Sequence, residues 1–261
     1  MSPFPKSLTL NALMLAALFL LAMFPRLYSS QSVGWNWDHP GSFTLINFDE
    51  GGSCRAALKG FEYSTFVGRQ TIAISELLGN TVPVGTRGDA GAAKAYCHGA
   101  QHIRVARIYS AVTGSLTVVL IGIAGLLIYP EKPRIGWTAA ALLALSGFHV
   151  SESHSGTVDA PSVFFIYAFI TLMVLAVSGK KPRLLRYSPL LLVFAIWSKY
   201  WVFACAAYLA LVSECLWHRC TRNLSTERIA LLLLGTAILF ALTTNAEFQA
   251  SRPRDRMSAS V

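Results

Sequence analysis

Five runs of residues, 7–25, 108–130, 135–151, 160–179 and 229–246, contain no Asp, Glu, Lys or Arg and are mostly apolar. Crossing the hydrocarbon layer takes about 20 such residues in a helix. Backbone amides inside lipid must be satisfied within the segment itself, so helices are expected. A sixth stretch, 187–217, is too long for one untilted span and short for two, and Ser198-Lys199-Tyr200-Trp201 interrupts it. Two short helices with a tight turn at Lys199 give seven spans; one long tilted helix gives six. The expected fold is an all-α polytopic membrane protein with about seven transmembrane helices. It divides into a first span (1–28), a large extracytoplasmic loop (29–106), the remaining spans (107–246) and a tail (247–261).

Composition agrees with lipid as the solvent for much of the surface. Only 13% of residues are charged and 54% are hydrophobic, against about 25% charged in soluble domains. The net charge of +9 does not mark a nucleic-acid binder, because no RNA- or DNA-binding motif accompanies it. The cations fall in short segments between apolar runs instead. Lys132 and Arg134, then Lys180, Lys181, Arg183 and Arg186, then Arg219 and Arg222 all lie on one side if there are seven spans. The positive-inside rule makes that side, which also holds the N-terminus, cytoplasmic. Arg252, Arg254 and Arg256 in the tail run against this count. Lys6 precedes an apolar run longer than a signal-peptide core, and no small-x-small site ends it. It therefore reads as an uncleaved first helix of a multi-pass plasma- or inner-membrane protein.

The loop is the one long polar stretch. Trp35 and Trp37 suit the membrane interface, and residues 54–60 and 68–78 have the apolar faces of short helices lying on the surface. Cys54 and Cys97 both lie in it, and an exported loop permits a disulfide between them. Cys205, Cys215 and Cys220 read as buried thiols.

Four groups of residues carry chemistry, and the seven-span topology turns all four to the outer side. Asp49-Glu50-Gly51-Gly52 is an acidic, turn-prone tip. A carboxylate there can take a proton or bind a metal; it can equally be a solvated loop with a helix cap. Glu152, His154 and Asp159 crowd the loop between spans three and four, with Asp159 and Pro161 also reading as a helix start. No ligand spacing demands a metal, but a divalent ion is possible, with Asp49, Glu152 and His154 as its candidate ligands. Lys199 lies within apolar sequence, where an ionisable group is a functional candidate. It can hold a phosphate or simply snorkel to the interface. Arg104 and Arg107 open the second span and suit phosphate neutralisation or interface anchoring. Carboxylates and cations on one membrane face fit a lipid-phosphate substrate whose head group is transferred. An ion transporter would place its charges in mid-membrane.

The same residues resemble motifs of the GT-C glycosyltransferases, especially their protein mannosyltransferase and lipid A aminoarabinose transferase branches. Asp49-Glu50 resembles the acidic first-loop motif. Arg107-Ile-Tyr-Ser110-Ala-Val-Thr-Gly114 resembles the opening of the second span. His154-Ser-Gly-Thr157-Val-Asp159-Ala-Pro161 leads into Phe164-Phe165, Ser198-Lys199-Tyr200 resembles a Thr-Lys-Tyr turn, and Thr243-Thr-Asn245 resembles a Thr-Asn-Pro span end. Here Ala246 replaces that proline, and family members are commonly near twice this length, so the likeness is to their N-terminal half. The resemblance implies inverting transfer of a sugar from a polyprenyl-phosphate donor to a glycan, lipid or protein acceptor. It implies Asp49 as general base, with Glu50, Lys199 and Arg107 near donor phosphate or acceptor. The rival expectation is a lipid-linked-sugar binding or translocating protein, or a truncated remnant of such an enzyme, without turnover.

Overall fold

The structure is a computed structural model and describes residues 6–32, 45–47, 49–59, 64–178, 184 and 187–199. Among these the secondary structure is entirely helical. Helix α1 spans Lys6–Ser32, α2 Gly52–Lys59, α3 Phe66–Leu77, α4 Ala90–Cys97, α5 Ala100–Ile128, α6 Pro133–Ala144, α7 Gly147–His154, α8 Asp159–Ser178 and α9 Ser188–Ser198. Three stretches, Thr9–Ser32, Ala100–Ile128 and Asp159–Ala176, are long and apolar enough to cross a membrane, which marks the chain as a membrane protein. Trp35, Trp37, the cations at 180–183, 186, 219 and 222, the run 229–246 and the tail lie outside the described residues.

Helix α5 is the hub and packs against α1, α3, α6, α7 and α8. Its small residues allow this. Gly122 and Gly125 face Gly136 of α6, where a Cβ would sit 2.8 Å from the Gly122 carbonyl oxygen. Leu18 and Ala22 of α1, Val118 of α5, and Ala140 and Ala144 of α6 form one core; Phe169 and Met173 of α8 with Leu192, Ala195 and Ile196 of α9 form another. Leu13, Leu20 and Phe24 on α1 and Leu142 on α6 stay exposed. In water such a set would be a liability, whereas lipid is a good solvent for it.

The structure revises two sequence expectations. The first helix does not stop at Pro25 but continues through it to Ser32. Arg26 is therefore an intrahelical residue and is fully buried. The run 135–151 is not one span either. It breaks into α6 and α7 at Leu145-Ser146, where Ser146 is extended (φ −63°, ψ 113°). With 12 residues, α6 rises about 18 Å, short of the roughly 30 Å hydrocarbon core.

Arg26 explains how an apolar segment tolerates that break. A helix end leaves carbonyls without intrahelical donors, and in lipid no water replaces them. The Arg26 guanidinium donates to the carbonyls of Ala144 (3.2 Å) and Leu143 (3.5 Å) at the end of α6, and to that of Ala22 (2.7 Å) in its own helix. It also meets Nδ1 of His149 on α7 at 2.6 Å. A cation at the negative end of the α6 dipole is favourable as well.

The loop forms a small layer of its own. Short helices do form near the expected stretches, as α2 and α3, and α4 follows them. Cys54 and Cys97 are disulfide-bonded, with Cα atoms 5.7 Å apart. Around the bridge pack Leu58, Ile72, Ala93 and Tyr96. Gly68 of α3 lies directly on the backbone of Ser53, leaving no room for a side chain, and its N–H donates to Ser53 Oγ at 2.7 Å. Phe66 of α3 stacks on Phe194 of α9 and meets Phe165 of α8 and Trp197, joining the layer to the spans.

Two expectations follow. Arg26→Leu should lower stability by about 3 kcal/mol, since hydrogen bonds to a charged group are lost and their acceptors stay buried; unfolding in mixed micelles measures it, and an unchanged midpoint would show that water reaches the break. The disulfide closes a separation of 43 residues, for which chain entropy gives about 4 kcal/mol. Cys97→Ala should lose up to that amount, read as faster proteolysis of the loop.

Candidate functional site

Both ends of the acidic tip are fixed by backbone geometry. Asn47 Oδ1 accepts the Asp49 N–H at 2.9 Å, and the Asp49 carbonyl accepts the Gly52 N–H at 2.9 Å, which turns the chain into α2. Gly51 sits at φ +77°, a left-handed conformation suited to glycine, and a Cβ there would lie 2.8 Å from the Cys97 carbonyl. The backbone of Cys97, one end of the disulfide, thus lies close against the turn that carries the two carboxylates.

The two carboxylates of the turn meet different surroundings. Glu50 is fully buried and forms a bidentate pair with Arg107 of α5, at 2.7 Å from Nε and 2.9 Å from the terminal nitrogen. Its oxygens also accept the N–H of Gly156 (2.9 Å) and of Ile46 (3.1 Å). Arg107, equally buried, reaches the Ser30 carbonyl at the end of α1 at 3.5 Å. Four separate segments meet at this pair: α1, the loop, α5 and the bend between α7 and α8. The geometry gives Glu50 and Arg107 an architectural task, whereas the sequence reading puts them in chemistry and phosphate binding. Asp49 remains half-buried, and its carboxylate accepts no hydrogen bond among the described residues.

Lys199 stands where α9 ends. The helix stops at Ser198, and Lys199 is extended (φ −155°, ψ 115°), in agreement with the expected break. Its ammonium pairs with Asp159, the first residue of α8, and both side chains are partly exposed. Asp159 thus gives its carboxylate to Lys199, and Thr157 Oγ1 has no partner among the described residues. His154 is partly buried, with Nδ1 at 3.2 Å from the Val150 carbonyl of its own helix. Arg104 lies exposed on the first turns of α5, three residues before Arg107. Among the described residues no three His, Cys, Asp or Glu side chains come together as a metal site, so Asp49, Glu152 and His154 do not form one.

Alternation of the long helices brings these groups to one end of the bundle. That end holds the C-terminus of α1, the N-termini of α5 and α8, and the C-terminus of α9. Sequence reasoning missed Arg26, whose position directly after an apolar run made it look like a flank. It also missed Gly156, which contributes only its backbone N–H. Comparison of the chain with protein-family models, with curated proteins and with solved structures finds no match.

Burial by itself would raise the Glu50 pKa. Hydrogen bonds from Arg107 and Gly156, the Arg107 charge and the Ile46 N–H outweigh it and hold the carboxyl below its ordinary value. A carboxyl depressed in the folded state contributes stability that is complete above its unfolded pKa of about 4.3 and is lost as pH falls through the folded value. Glu50→Gln should cost about 3–5 kcal/mol at neutral pH, because Arg107 stays buried without its counter-charge. It should also flatten the acid limb of the stability–pH curve, measured by thermal unfolding of both proteins from neutral to acid pH.

Proposed function

We propose that the chain is a membrane glycosyltransferase working at the extracytoplasmic face, with its loop outside and its N-terminus in the cytoplasm. It moves a sugar from a polyprenyl-phosphate donor to an acceptor hydroxyl. The observation that carries this reading is the division of labour within Asp49-Glu50. Glu50 anchors the turn, and Asp49, on that anchored turn, keeps a half-exposed carboxylate with no competing hydrogen bond among the described residues. A base needs that combination of a fixed backbone and an available oxygen.

Lys199 supplies the second component. Its partly exposed ammonium lies at the same end of the bundle, paired with Asp159. An ammonium near a departing phosphate stabilises the charge that develops on it. In the step, the acceptor oxygen attacks the anomeric carbon and gives its proton to Asp49. The bond from that carbon to the phosphate oxygen breaks, and polyprenyl phosphate leaves beside Lys199. A single displacement inverts the anomeric centre. Arg104, exposed at the mouth of α5, and His154 are the further candidates for contact with the head group.

The test is sugar transfer from labelled polyprenyl-phosphate sugars by the chain in liposomes. Asp49→Asn should lower the rate about 10²–10⁴-fold, the range of general-base catalysis, and Lys199→Met should slow transfer at saturating donor. Wild-type donor binding without transfer would instead favour a binding or translocating protein. Full activity in Asp49→Asn would remove the assigned base.

A further inference from the structure

A small cavity lies where the disulfide-stapled loop meets the spans. Gly51, Ser53, Cys54, Val67, Thr71, His102, Ala106, Gly156 and Thr157 line it. Its volume is about 10 Å³, close to the room that one water molecule needs. Four of these residues carry hydrogen-bonding side chains. Ser53 Oγ is occupied by the Ser64 carbonyl and the Gly68 N–H, and Thr71 Oγ1 by the Gly68 carbonyl. The other two, His102 Nε2 and Thr157 Oγ1, are buried and have no partner among the described residues. His102 is 1% exposed and Thr157 2%.

Leaving either atom unpaired costs about 1–3 kcal/mol, and both orphans belong to residues that line one cavity, so one occupant explains both. We propose that the cavity is a binding site for one internal water, which bridges His102 Nε2 and Thr157 Oγ1. The chemistry selects water over an ion. No carboxylate lines the cavity, so a cation has no counter-charge there. Glu50 lies beside it, bonded to Gly156, but its charge is matched by Arg107, so neither a cation nor an anion finds a net counter-charge there. Water can donate or accept, and it fits either histidine tautomer. Nδ1 of His102 lies 3.2 Å from Ser75 Oγ. If Ser75 donates there, Nε2 carries the hydrogen and the water accepts it. If Nδ1 donates, the water donates to Nε2.

The bridge joins the first turn of α5, itself tied to α3 through Ser75, to the bend before α8. That bend also supplies the Gly156 N–H to Glu50. The water therefore closes a second link across the seam that the Glu50–Arg107 pair holds.

A crystal structure of the full chain from a lipid phase, at a resolution that shows ordered water, tests this. A density peak within hydrogen-bond distance of both His102 Nε2 and Thr157 Oγ1 is expected. It should persist in Thr157→Ser, which keeps the hydroxyl, and be lost or displaced in Thr157→Val. Absence of the peak in the wild-type chain, or its persistence unmoved in Thr157→Val, overturns the proposal. The wild-type map decides alone if the variants do not fold.

Discussion

The buried pair between Glu50 and Arg107 ties this structure together. Removing two charges from water is costly, and the attraction between them offsets that only with good geometry and satisfied lone pairs. Here the geometry is bidentate, and the remaining lone pairs of the carboxylate take the N–H groups of Gly156 and Ile46. Each of those contacts belongs to a different segment. The pair therefore does more than offset its own desolvation: it sets where the loop, α5 and the α7–α8 bend lie relative to one another.

Arg26 solves a related problem with a different partner. Glu50 neutralises Arg107, whereas Arg26 finds carbonyl dipoles and an imidazole. The Ala144 carbonyl is open to Arg26 because α6 ends there, that of Leu143 accepts both Arg26 and the Ser146 N–H, and α6 can end there because Arg26 supplies donors. The break and the cation thus depend on each other. The consequence reaches the candidate site, since α7 starts at the break and delivers Gly156 to Glu50 and Asp159 to Lys199. Gly114 of α5 allows Ser153 of α7 to approach so closely that any side chain there would collide with it, which holds α7 against the hub.

Part of the candidate site was legible in the sequence, and the reason is chemical scarcity. In a chain with so few charges, Asp49-Glu50, Arg107, Asp159 and Lys199 stand out, and the topology places them at one end. Pairing was not legible. Nothing in the spacing says that Glu50 turns inward to Arg107 while its neighbour Asp49 stays partly exposed, or that Asp159 pairs with Lys199 forty positions away. Gly156 was invisible because a backbone N–H leaves no mark on residue identity. The disulfide stood as an open possibility, since two cysteines in one loop do not reveal whether their Cα atoms approach.

The sequence by itself determined the solvent and the element type. Uncharged apolar runs of span length call for lipid, and lipid forces the backbone into helices. Only the tertiary structure decided where those helices stop. The run 135–151 has the composition of a span, yet it breaks, because whether a helix can end inside an apolar layer depends on a donor reaching its free carbonyls. That donor, Arg26, comes from a residue more than a hundred positions earlier, and no local pattern carries such information.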